Sequence, residues 1–153
     1  MTAPAQAMDS GPYAATLLAH ARAPRHQGAL LHPDALAEGY NALCGDRITV
    51  MLALRQGRIA EYAFRAEACA LVVAAASLLG ECLIGRDAEE VEHLAARFDG
   101  LLAGAGGPSI ACGGLNAFAD LARFPARRKC ARLPLATVRA ALRGAAHANT
   151  EEA

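Results

Sequence analysis

The sequence predicts an α+β fold: a small antiparallel sheet, built from a hairpin and a third strand, with helices packed on one face. Three observations predict it. Segments 47–55 and 58–66 each alternate apolar and mixed residues with period two, and they meet at Gln56-Gly57, which reads as a hairpin turn. The remaining patterned segments downstream are helical, so strands come early and helices late. Apolar residues make up 54 % of the 153-residue chain, enough for one domain with its own core.

Residues 1–12 (MTAPAQAMDSGP) lack a basic start followed by an apolar run, so they read as a disordered tail and not as a signal peptide. Tyr13 to Ala21 (YAATLLAHA) is expected to be the first helix. A loop with Pro24, Gly28 and Pro33 is expected to run on to Tyr40. In the hairpin, Ile48, Val50, Leu52 and Leu54 alternate on one strand, and Ala60, Tyr62, Phe64 and Ala66 on the other. Residues 70–84 read as an apolar helix. The run at 68–80 is too short to span a bilayer, and Glu81 and Arg86 follow it, so it belongs in a core. Asp87 and Glu90 have capping-box spacing and open a helix with Val91, Leu94, Ala95, Phe98, Leu101 and Leu102 on one stripe. GAGGPSIACGG (104–114) reads as a flexible loop, followed by a short helix at 116–122. Pro125 is expected to break the chain. Pro134 suits the first turn of a last helix, whose apolar positions Leu135, Val138 and Leu142 precede Gly144. The expected organisation is one domain over 13–145 and a disordered tail over 146–153.

Fifteen basic residues balance fifteen acidic ones, so charge gives no reason to expect binding to nucleic acid or to an anionic membrane. Among the basic residues, Lys129 is the one lysine. Five cysteines is an odd number, and without an export signal they are expected to be reduced thiols in the cytoplasm.

The chemistry concentrates at NALCGDRI, residues 41–48. Residues two apart in an extended segment point the same way, so Cys44 and Asp46 can face one point, with Gly45 keeping the backbone clear. A thiolate and a carboxylate aimed together repel unless a cation lies between them, which points to a metal. Zinc takes about four ligands, mostly sulfur. Cys69 stands where the second hairpin strand gives way to the apolar helix, whose first N–H groups favour a thiolate. Cys130 stands in RRKCARL, beside basic residues expected to do the same. Cys44, Asp46, Cys69 and Cys130 therefore form a candidate three-sulfur, one-oxygen site. The spacing contains no CxxC pair and fits equally well with three cysteines buried as small apolar side chains. Cys82 reads as core, and Cys112 as an incidental loop thiol or one that resolves a persulfide. His20, His26, His32, His93 and His147 form no H-x-x-x-H pair, and none is expected to be a ligand.

NALCGDRI, the segment EAC-ALVVAAAS and FPARRKCARL follow the order and spacing of the NifU/IscU family of iron–sulfur assembly proteins, and the resemblance covers roughly residues 13 to 143. HARAPRHQG is similar to that family's first helix and the proline-containing turn after it. Within the family the chain most resembles the SufU branch of zinc-dependent sulfurtransferases. Scaffold members usually carry a histidine directly before the third cysteine, where this chain has Lys129. The long interval from Cys69 to Cys130 also matches SufU-like proteins. Ala42 and Ala68 depart from the proline and glycine usual at those positions.

The resemblance implies zinc on Cys44, Asp46, Cys69 and Cys130, with Cys44 as the sulfur acceptor. It implies a SufS-type, pyridoxal-phosphate-dependent cysteine desulfurase as donor, and a downstream iron–sulfur scaffold as recipient. The chain would then be a cytoplasmic sulfurtransferase-type carrier. Arg127, in the FPAR motif, would orient the site or dock the desulfurase, and the Lys129 ammonium would stabilise a thiolate or persulfide. Two other readings stay open. One is an IscU-type scaffold holding iron in a transient [2Fe–2S] cluster on the same ligands. The other is a zinc-stabilised interaction domain without sulfur chemistry.

Overall fold

The computed structural model describes residues 14–104 and 113–149. Helix α1 (Ala14–Arg22) leads into strands β1 (Ala35–Asn41), β2 (Asp46–Arg55) and β3 (Arg58–Glu67). Helices α2 (Ala70–Leu83) and α3 (Ala88–Leu102), a 3₁₀ segment (Gly113–Arg123), helix α4 (Pro125–Leu142) and a short β4 (His147–Asn149) follow. The fold is α+β, as the sequence predicts. The β2–β3 hairpin turns at Gln56 and Gly57, both with positive φ (54° and 76°). Two consecutive left-handed residues give a turn whose twist matches that of the strands it joins. The Asp87–Glu90 capping box forms in both directions at the start of α3.

Three segments differ from the sequence expectation. The stretch read as a loop up to Tyr40 ends in β1, which pairs antiparallel with β2 from Ala35↔Leu52 to Asn41↔Asp46. Its inward positions include Ala37 and Gly39, too small to register as an apolar alternation. His147–Asn149, placed in a tail, adds a parallel edge to β1 and gives the sheet order β3-β2-β1-β4. The last helix starts at Pro125, not Pro134. Proline is at home in a first turn, but Pro134 lies inside α4, nine residues further on, and removes the N–H that would have met the Cys130 carbonyl. Burial of Ala131, Leu133, Leu135, Val138 and Ala141 holds the helix through that defect. Tyr13, Cys112 and most of the 104–114 loop lie outside the described residues, as do 1–12 and 150–153.

The core lies between the inner sheet face and the helices. α2 is buried along nearly its whole length, and α4 packs on β1, β2 and α2. The approach of α4 to β1 depends on Gly39. A Cβ there would run into the Thr137 hydroxyl and come within 3.1 Å of both Ile48 Cγ2 and Leu133 Cδ1. Thr137 is fully buried, with its hydroxyl donating to the Leu133 carbonyl at 2.8 Å, so it has little room to yield. Gly39→Ala should therefore cost about 1–3 kcal/mol of stability, the usual range for overpacking. Urea unfolding of the two proteins measures it, and equal midpoints would show that α4 does not need the close approach. No helix among the described residues is long and apolar enough to cross a membrane.

Candidate metal centre

Three junctions of the fold converge on one point. The first is the Ala42–Gly45 turn between β1 and β2, which carries Cys44 exposed to solvent. Gly45, at φ +70°, lets the chain reverse there. Cys44 and Asp46 thus meet across a turn and not along an extended segment. Asp46 opens β2 and is 2 % exposed, whereas Cys44 stands at the surface.

The second junction is the step from β3 to α2. Cys69 is the N-cap of α2 and is half-buried. Its backbone N–H donates to Asp46 Oδ1 at 2.8 Å, and its Sγ lies 3.9 Å from Asp46 Oδ2. The third is the start of α4, which supplies Cys130. That thiol is buried, with its Sγ 3.7 Å from Cys44 Sγ. Ligand atoms of Cys44, Asp46 and Cys130 all lie within 4.8 Å of one another. Cys69 stands just outside that mutual set but touches two of its members, Asp46 and Cys130.

A donor set of three sulfurs and one carboxylate suits zinc. Tetrahedral bonds of about 2.3 Å place two sulfurs roughly 3.8 Å apart, close to the Cys44–Cys130 separation. The electrostatics point the same way. The Cys69 thiol is held below the usual range, first because Cys130 donates to it. Burial and the Asp46 charge oppose that shift, and the Val72 and Leu71 N–H groups of the helix start assist it. The Cys130 thiol is driven up, first by the hydrogen bond to Cys69, then by burial and by the negative charge of Cys69 and Asp46. Such a cluster cannot ionise fully without a cation. No arginine or lysine pairs with Asp46 among the described residues.

The basic neighbours of Cys130 do not supply that cation, contrary to the sequence expectation. Successive helix residues face different directions. Arg128 and Lys129 line a groove of about 410 Å³ between α3 and α4, shared with Asp99 and Arg132. Arg127 lays its guanidinium 5.4 Å from the centre of the Phe124 ring, and its Nε is buried without a partner among the described residues. Cys82 is buried in α2, and the free thiols among the described residues are Cys44, Cys69 and Cys130. No histidine joins the cluster among the described residues. His20 instead bonds Ser77 Oγ through Nδ1 at 2.6 Å, tying α1 to α2.

Sequence reasoning missed Asn41. It closes β1, is fully buried, and points its amide at Asp46 and Cys130. The signal was its place three residues before Cys44, on the strand the sequence concealed.

The profile of the NifU-like N terminal domain family matches residues 12–131. The chain belongs to that family. Among relatives, it is 30 % identical over 122 residues to the zinc-dependent sulfurtransferase SufU of Bacillus subtilis (strain 168), covering 79 % of this chain and 82 % of that protein. It is 29 % identical over 137 residues to the iron–sulfur cluster assembly scaffold protein IscU of Streptococcus pyogenes serotype M1, covering 89 % and 86 %. The crystal structure of the N-terminal part of a nitrogen-fixing NifU-like protein from Brucella abortus superposes with a TM-score of 0.78 at 28 % identity, covering 84 % of this chain and 90 % of that one. The chain thus resembles a sulfurtransferase and a scaffold to a similar degree.

Proposed function

We propose that the chain serves iron–sulfur cluster assembly by accepting sulfur at Cys44 from a cysteine desulfurase of the SufS type and passing it on to a downstream scaffold. The observation that carries this reading is the contrast in exposure across the cluster. Cys44 is exposed on a turn, whereas Cys130 and Asp46 are buried and Cys69 is half-buried. One thiol can leave the group and meet a partner while the others stay in place. The proposed ligands are Cys44, Asp46, Cys69 and Cys130. Bound zinc would keep these thiols deprotonated and hold the three junctions together.

In the transfer, the Cys44 thiolate attacks the outer sulfur of the desulfurase persulfide. A bond forms between Cys44 Sγ and that sulfur, the donor's S–S bond breaks, and the donor cysteine leaves as a thiolate. Arg127, one turn before Cys130, is the candidate to orient the site or receive the desulfurase. Lys129, on the α3–α4 groove, is the candidate to stabilise a persulfide brought from outside.

The scaffold reading draws on the same ligands and on the likeness to IscU. Two measurements separate the readings. A colourless protein with one zinc per chain, which raises desulfurase turnover when added, supports relay. A brown protein with iron and sulfide, and no effect on turnover, supports a scaffold.

Asp46 tests the ligand set further. Its Oδ1 is committed to the Cys69 N–H, leaving Oδ2 toward the sulfurs. A fourth thiolate would close the site as structural zinc sites are closed. Asp46→Cys should therefore bind zinc at least as tightly as the parent chain in chelator competition, yet relay sulfur several-fold more slowly. Full relay by that variant would show that the oxygen ligand is not there for exchange.

A further inference from the structure

We propose that Asn41 is a positioning residue of the metal centre, its side-chain amide setting which Asp46 oxygen and which face of Cys130 meet the ion. This rests on the zinc reading above. Asn41 is fully buried at the end of β1, on the inward face shared with Ala37 and Gly39. Its register partner across the sheet is Asp46. Nδ2 donates to Asp46 Oδ2 at 3.4 Å and points at Cys130 Sγ, 3.7 Å away. One amide therefore spans a candidate ligand from β2 and another from α4. Together with the Cys69 N–H on Oδ1, it fixes the carboxylate plane from both sides.

The other end of the same amide shows what the position is for. Oδ1 is buried and has no partner among the described residues. A buried acceptor left unpaired is unfavourable, and an apolar side chain of the same shape would fill a merely structural position at lower cost. Turning the amide over would aim its oxygen at a carboxylate and a sulfur, both negative in a metal-loaded site. The orientation with the orphaned oxygen keeps the N–H donors on the ligand atoms. Outer-shell donors of this kind orient ligands, and their loss typically weakens metal binding roughly 10–100-fold.

The test compares the parent chain with Asn41→Leu and Asn41→Asp. Zinc affinity is measured by chelator competition, absorption is recorded after cobalt(II) substitution, and the metal-free proteins are melted. Asn41→Leu removes the orphaned acceptor and the donor to Asp46 together, so metal-free stability should change little, yet it should bind zinc about 10–100-fold more weakly. Its cobalt form should keep the thiolate charge-transfer intensity, since every sulfur remains, while the ligand-field bands shift. Asn41→Asp, the same size without the donor, should bind more weakly still. Parent-level affinity in Asn41→Leu overturns the inference, even if Asn41→Asp is impaired, because added charge alone would then explain the loss. An affinity loss matched by an equal loss of metal-free stability overturns it too, as a purely structural role. If the parent chain binds no zinc, the metal reading fails and this inference falls with it.

Discussion

Cys44→Ser should reduce the stimulation of a cysteine desulfurase to the level seen with no added chain, while leaving the metal-free fold intact. Both halves follow from where Cys44 stands. It is exposed on the β1–β2 turn and contributes nothing to the core, so its loss should move the metal-free melting temperature little. As the proposed acceptor it has no substitute, because a serine hydroxyl does not attack a persulfide sulfur at neutral pH. Cys130→Ser should behave differently. Cys130 is buried beside Cys69, Asn41 and Asp46, so its replacement should lower both zinc content and metal-free stability. Zinc affinity should fall in both variants by more than the roughly 10–100-fold typical of an outer-shell loss. Desulfurase turnover, zinc content and thermal melts on the three proteins distinguish these outcomes. Persistent stimulation by Cys44→Ser would move the acceptor role elsewhere, and an equal fall in metal-free stability for both serine variants would contradict the exposure difference.

Removing zinc should lower the melting temperature by about 8–16 °C. A ligand held at about 1,000 times its dissociation constant stabilises a fold by about 4 kcal/mol. A chain of this length shifts by roughly 2–4 °C for each of those. The proposed centre lies where the β1–β2 turn, the β3–α2 step and the start of α4 meet, with thiols and a carboxylate crowded together. Its loss should therefore loosen these three junctions before the hairpin, whose ladder is independent of it. Melting before and after verified chelation gives the shift, and hydrogen exchange gives its location. No change in melting temperature would mark the metal as adventitious.

The parts of this protein legible in the sequence were those governed by local rules. The β2–β3 hairpin declared itself through period-two alternation and two residues suited to positive φ. The third helix declared its start through a capping box, and the apolar second helix through its composition. The candidate ligands were legible because thiols and a carboxylate stand at element ends, where backbone turns can bring them together. β1 was not legible, since its inward residues are alanine, glycine and asparagine, and a strand that packs closely on a helix must carry small side chains there. The start of α4 was hidden because two prolines, Pro125 and Pro134, send the same local signal, and only burial decides which one opens the helix. The electrostatics of Cys130 were misread along the chain, because its sequence neighbours face another groove while its charge environment comes from β2 and α2. Asn41 became meaningful only when the β1–β2 register set it opposite Asp46 and Gly39 let α4 bring Cys130 against it. The sequence by itself determined which chemical groups were available and the hairpin that carries part of them. Tertiary structure decided which groups meet, because long-range packing and strand register, not spacing along the chain, set distances among buried side chains.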